Sequence, residues 1–221
     1  HHCHITWTNR GQPQQSIGNN FCNHYFSIRY DKQVSIERKF RPHLDKMNVL
    51  IVRNDKLGDF ITALPSCYIV KQHLPECHLS VLVSPINESL ALTCDFIDEV
   101  IVDKGQSVNE LSNQLKTKQF DVSLTLFSNT RVALAQWKAG IPKRFAPATK
   151  LAQVFYNKRI TQRRSEVKMA EFEYNIQLVQ AALPTINIEF PKPLLTFSTE
   201  SVEAASQIFQ KQVKTTKNII V

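Results

Sequence analysis

The stretch Asn48-Val49-Leu50-Ile51-Val52-Arg53-Asn54-Asp55-Lys56-Leu57-Gly58-Asp59-Phe60-Ile61-Thr62-Ala63-Leu64-Pro65 decides how this chain folds. Residues 48–53 form a short apolar run rich in β-branched side chains, as expected of a parallel strand buried on both faces. A polar loop, Asn54-Asp55-Lys56, follows it. From Leu57 the apolar residues Phe60, Leu64, Cys67 and Tyr68 recur at three- and four-residue intervals, which predicts a helix to about Leu74. Pro65 is expected to end or kink its first turns, and Pro75 to close it.

Working outward, the same strand–helix alternation repeats. Strands are read at 78–83, 98–103 and 120–126, and helices at 85–92, 108–118 and 130–139, the last ending at Gly140. This order predicts an α/β fold with a parallel sheet covered by helices. No strand is read between Gly140 and Lys168. Residues 169–183 give an amphipathic helix with Phe172, Ile176, Val179 and Leu183 on one stripe. Pro184, Pro191 and Pro193 mark an extended connector, residues 202–213 another helix, and residues 218–221 a further buried strand. Three regions are expected: a poorly ordered extension over 1–46, an α/β domain over 47–190, and a linker opening a second domain over 191–221. Met47 reads as the natural start, with the histidine-rich 1–46 lying upstream of the fold.

The chain has 221 residues, 43% of them hydrophobic, so it can bury a core. Its formal net charge of +8 points to an anionic partner: nucleic acid, an anionic membrane surface or a phosphorylated substrate. The charge is concentrated in residues 138–168, where nine Lys/Arg face Glu166 alone. Five cysteines in irregular spacing, with no CxxC, indicate neither a zinc site nor a disulfide framework. Reduced thiols in a cytoplasmic protein are the simplest reading, with Cys67 in the core. No apolar run approaches the roughly 20 residues that span a bilayer, and no signal-peptide pattern opens the sequence, so any membrane contact is expected to be peripheral.

In an open α/β sheet, ligands bind beyond the carboxyl ends of the strands, where the 54–58 loop must lie. Gly58 is expected to allow a tight turn or a close ligand approach. Asp59 falls in the first turn of the following helix and has two open roles: a capping carboxylate, or a general base aimed into the crevice. Arg53 and Lys56 lie at the same edge of the sheet. There is no GxxxxGK[ST] or GxGxxG phosphate cradle, and no HExxH, GxSxG or paired-carboxylate metal motif.

The residues Val49–Pro65, with Arg53, Gly58-Asp59 and Leu64-Pro65 in order, resemble the opening of the lipopolysaccharide heptosyltransferases of glycosyltransferase family 9. Residues 120–126 with Asn129-Thr130-Arg131 are similar to that family's fourth strand and loop. Phe155-Tyr156-Asn157-Lys158-Arg159 with the 169–183 helix is similar to its basic loop and closing helix. The resemblance implies the N-terminal, acceptor-side Rossmann-like domain of a GT-B fold, with the donor-binding domain cut off and the piece inactive alone. It implies inverting heptose transfer from an ADP-heptose-type nucleotide sugar to the lipopolysaccharide inner core, without a required metal or other cofactor. The base would be Asp59, with Arg53, Lys56 and Gly58 as donor-phosphate or cleft contacts, Arg53 and Lys56 being equally readable as solvated loop charges. Arg131, Lys143, Arg144, Lys158 and Arg159 are the candidates for holding an anionic glycolipid at the inner face of the cytoplasmic membrane. The alternative is a non-catalytic module gripping anionic glycolipid or nucleic acid through 138–168. Few aromatics interleave with those charges, so base stacking has little to work with, and nucleic acid is not the expected partner.

Overall fold

The computed structural model describes residues 47–148, 151–186, 188, 195 and 197–212. The extension over 1–46, most of the proline connector and residues 218–221 lie outside the described residues. Six strands form one parallel sheet: β1 (Asn48–Arg53), β2 (His78–Val83), β3 (Glu99–Val102), β4 (Val122–Thr125), β5 (Lys143–Pro147) and β6 (Lys158–Ile160). Their spatial order, β3-β2-β1-β4-β5-β6, is that of a doubly wound nucleotide-binding sheet. The chain leaves β1 toward one face and β4 toward the other, so the topological switch point lies between these two central strands.

The central strands match their sequence reading because both their faces are covered. Val49, Ile51, Val81, Val83, Leu124 and Leu126 pack into one core cluster with Phe60, Leu64, Cys67, Ile69, Leu178 and Val179. Leu50, Val52, Leu82 and Ile101 face the opposite cluster, with Leu111, Leu115, Val132 and Ala135. The first cluster is covered by α1 (Leu57–Ile61), α2 (Leu64–His73), α3 (Glu88–Leu92) and α6 (Glu171–Ala182). The second is covered by α4 (Val108–Thr117) and α5 (Thr130–Lys138).

Local signals set the boundaries. The helix predicted from Leu57 is two helices, α1 and α2, broken at Thr62-Ala63. Pro65 has no N–H to continue α1, but is tolerated in the first turn of α2. Ser107 and Glu110 form a reciprocal cap on α4, and Asn129 caps α5 by accepting from the Val132 amide at 2.9 Å. Gly140, at φ +80°, ends α5 in the left-handed region.

Two strands go beyond the sequence reading, which placed none between Gly140 and Lys168. β5 begins with Lys143 and Arg144, and β6 is three residues long on the sheet edge with Lys158 and Arg159 exposed. Charged, short edge strands lack the apolar run that reveals a central one. The last described helix, α7 (Thr199–Gln212), has exposed side chains wherever they are described. No described helix is long and apolar enough to cross a membrane.

Candidate active site at the carboxyl end of strand one

The site is built on Arg53, the last residue of β1. Alternation along the strand sends its side chain to the face that α1 and α6 cover. Only 4% of that side chain is exposed, yet it is a full charge, so its surroundings must supply counter-charge. Nε donates to Asp55 Oδ1 at 2.9 Å, and one terminal nitrogen donates to Glu171 Oε1 at 3.0 Å. The other stands 3.1 Å from Asp59 Oδ1 as an ion pair. Arg164, from the β6–α6 loop, also binds Glu171 and lies over the Tyr174 ring at 5.6 Å.

Two guanidinium groups therefore meet three carboxylates. Asp55 sits above the ordinary aspartate pKa because its burial outweighs the attraction of Arg53, with Asp59 adding repulsion. Burial draws Arg164 below the usual arginine range, opposed by the charge of Glu171. Asp59 differs from Asp55 in being 39% exposed. It is held by a buried cation on one side and open to solvent on the other. Such a carboxylate can receive a proton from a group arriving in the crevice.

Asp59 does not hold the cap position of α1. Lys56 occupies it, with extended backbone and no side-chain cap. Gly58 makes no tight turn: it lies in α1, its φ is outside the left-handed region, and a Cβ there would meet nothing within 4 Å. Arg53 is not a free cleft charge, because its fork is already filled by carboxylates. Lys56 is exposed at the rim.

The five basic candidates are not gathered around Asp59. Arg131, on α5, binds both oxygens of the buried Asp103 carboxylate, at 2.7 and 2.5 Å, and the Gln106 carbonyl at 2.9 Å. Asp103 also accepts from Asn54 at 2.5 Å, so Arg131 anchors the β1 and β3 loops at the carboxyl end of the sheet. Lys143 pairs with Val122, at the amino end of the sheet, and lines a small cavity of about 40 Å³ there with Met47, Val49 and Phe145. Arg144 is tied to the Ile141 and Phe155 carbonyls and holds β5 to the turn at 151–155. Lys158 and Arg159 point to opposite faces of the edge strand. The five candidates are thus spread over the carboxyl end of the sheet, its amino end, the turn at 151–155 and the edge strand.

Several site residues escaped the sequence reading: Asp55, Glu171, Asn175, Arg164 and Asp103. Asn175 carried a signal, since it is a polar residue on the buried side of an amphipathic helix; it is fully buried.

The doubly wound parallel sheet has the fold of one half of a GT-B glycosyltransferase, which the described residues share with the solved structures below. A Haemophilus influenzae protein with a provisional glycosyltransferase name is 40% identical over 177 residues, covering 77% of this chain and 51% of the relative. Among solved structures, a glycosyl transferase family 9 protein from Veillonella parvula superposes with a TM-score of 0.61 at 18% identity, covering 80% of this chain and 52% of that one. The E. coli ADP-heptose lipopolysaccharide heptosyltransferase II gives 0.59 at 19% identity, over 74% and 50%. The E. coli heptosyltransferase WaaC, solved with ADP, gives 0.53 at 18% identity, over 66% and 49%. No protein-family model matches the sequence. The chain spans about half the length of the relatives it matches.

Proposed function

We propose that this chain is the acceptor-side half of an inverting glycosyltransferase in which Asp59 is the general base. The observation that carries the reading is the Asp59 carboxylate, held by Arg53 beside the switch point yet open to solvent. An acceptor hydroxyl over Gly58 attacks the anomeric carbon of a nucleotide sugar from the side opposite the diphosphate. The new glycosidic C–O bond forms as the bond to the diphosphate oxygen breaks. Asp59 takes the hydroxyl proton, and the nucleoside diphosphate leaves with the bonding electrons.

The donor is of the ADP-heptose type and the acceptor an anionic glycolipid of the lipopolysaccharide inner core. Support comes from the fold shared with the E. coli ADP-heptose heptosyltransferase II and with WaaC, solved with ADP, and from the chain's net charge of +8. The donor is assigned to the half of those longer proteins that this chain does not match, so the chain alone is expected to be inactive. Peripheral contact with the inner face of the cytoplasmic membrane fits a lipid-linked acceptor.

The test is sugar transfer by the complete protein carrying Asp59→Asn. Loss of a base should lower kcat by about 10²- to 10⁴-fold with the fold intact. Turnover within threefold of wild type in a folded variant removes Asp59 from this role.

A further inference from the structure

Asp59 is held by α6 from two directions at once. On the side-chain side, Arg53 stands 3.1 Å from its carboxylate, and the same guanidinium donates to Glu171, the first residue of α6, at 3.0 Å. On the main-chain side, the Thr62 hydroxyl donates to the Asp59 carbonyl at 2.7 Å. Thr62 in turn receives the Asn175 amide, at 3.1 Å on its carbonyl and 3.3 Å on its hydroxyl oxygen. Asn175 lies one helical turn after Glu171, and its Oδ1 stands 3.5 Å from nitrogens of both Arg53 and Arg164. The contacts close a ring: Asp59 carboxylate, Arg53, Glu171 and Asn175, Thr62, Asp59 carbonyl.

We propose that Glu171 and Asn175 are positioning residues for Asp59, fixing where its carboxylate stands without touching substrate. α1 has only five residues, and its cap position makes no side-chain bond. Such a helix holds its own geometry poorly. The two α6 residues, 112 to 116 positions later in the chain, supply what local structure does not. Asn175 is fully buried, and both arginines hold the same Glu171 oxygen, Oε1, so the contacts seen for the two residues are with the site's own side chains. A carboxylate that must meet a hydroxyl proton is sensitive to placement, and an error of ~1 Å can cost on the order of 10²-fold in rate.

The inference rests on Asp59 being the base, and the experiment separates the two. Transfer by the complete protein is measured for Asp59→Asn, Glu171→Ala, Glu171→Gln and Asn175→Ala, each checked for folding by thermal melting. In this chain, the ¹³C carboxyl resonance of Asp59, identified by its loss in Asp59→Asn, is followed in the Glu171 variants. Glu171→Ala and Asn175→Ala should lower kcat by about 10- to 100-fold, with KM for both substrates within about twofold. Glu171→Gln, which keeps an acceptor for Arg53, should recover to within about threefold of wild type. The Asp59 resonance should move in Glu171→Ala. An unmoved resonance, or a normal kcat in Glu171→Ala beside an inactive Asp59→Asn, overturns the positioning role alone. A raised KM with kcat intact also overturns it, since Glu171 would then touch substrate. An active Asp59→Asn overturns the base reading instead.

Discussion

Replacing Arg53 by Met tests the electrostatics on which the site depends. Met keeps most of the stem and its packing while removing the guanidinium, so Asp55, Asp59 and Glu171 lose their shared cation. Removing one partner of a buried ion pair costs about 3–5 kcal/mol, because the remaining charge stays desolvated. Glu171 keeps Arg164, and the Asp59 and Glu171 side chains are 39% and 32% exposed, so water recovers part of the loss. The expected cost is therefore at the low end, about 3 kcal/mol at pH 7. For a chain of this size that is a fall in Tm of about 6–12 °C. Urea unfolding followed by far-UV circular dichroism at pH 7 and pH 5 measures it. The pH dependence has a definite sign. Asp55 already lies above the ordinary aspartate value despite the attraction of Arg53, and losing Arg53 raises it further. A carboxyl whose folded-state pKa is raised destabilises the folded chain fully above that pKa, and the penalty is lost as pH falls through it to the unfolded value. The deficit of the variant should thus shrink as pH falls through the raised Asp55 pKa. A deficit under about 1 kcal/mol at pH 7, or one that grows on acidification, refutes the reasoning.

Two further outcomes follow from the backbone. Val167, at φ +48° and 80% exposed, is a β-branched residue in the left-handed region of the β6–α6 loop. Val167→Gly should stabilise the chain by up to about 1 kcal/mol in urea unfolding, since little burial is lost and the strain is relieved; destabilisation would show that the side chain is needed. Gly58→Ala places a methyl in open space within α1, so stability should hold or rise by about 0.5–1 kcal/mol. In the complete protein, the same variant should raise the acceptor KM severalfold if substrate passes over Gly58; an unchanged KM would place the acceptor elsewhere.

The framework of this fold could be read from residues whose environment is uniform. β1 and β2 are covered on both faces, so Asn48–Arg53 and His78–Val83 needed only an apolar run between breaks. β5 and β6 could not be found this way, because Lys143, Arg144, Lys158 and Arg159 give their segments the look of a solvated loop. The position of Asp59 in the first helical turn followed from its distance past the strand. Its partners did not: Arg53 reaches Glu171 across 118 positions, and no local spacing reports a contact made by tertiary packing. The basic segment also misled in the other direction. Proximity in sequence suggested one patch, but a parallel sheet sends Lys143 to its amino end and Arg164 to its carboxyl end.

The strand order has a consequence for how the chain is made. β1 pairs on one side with β2, 30 positions later, and on the other with β4, where Val49 meets Val122. A ribosome delivering about 5–20 residues per second leaves the gap from Val83 to Val122, about 40 residues, unfilled for roughly 2–8 seconds. Through that interval β1, an apolar strand, has one unpaired edge, a template for wrong pairing until β4 arrives.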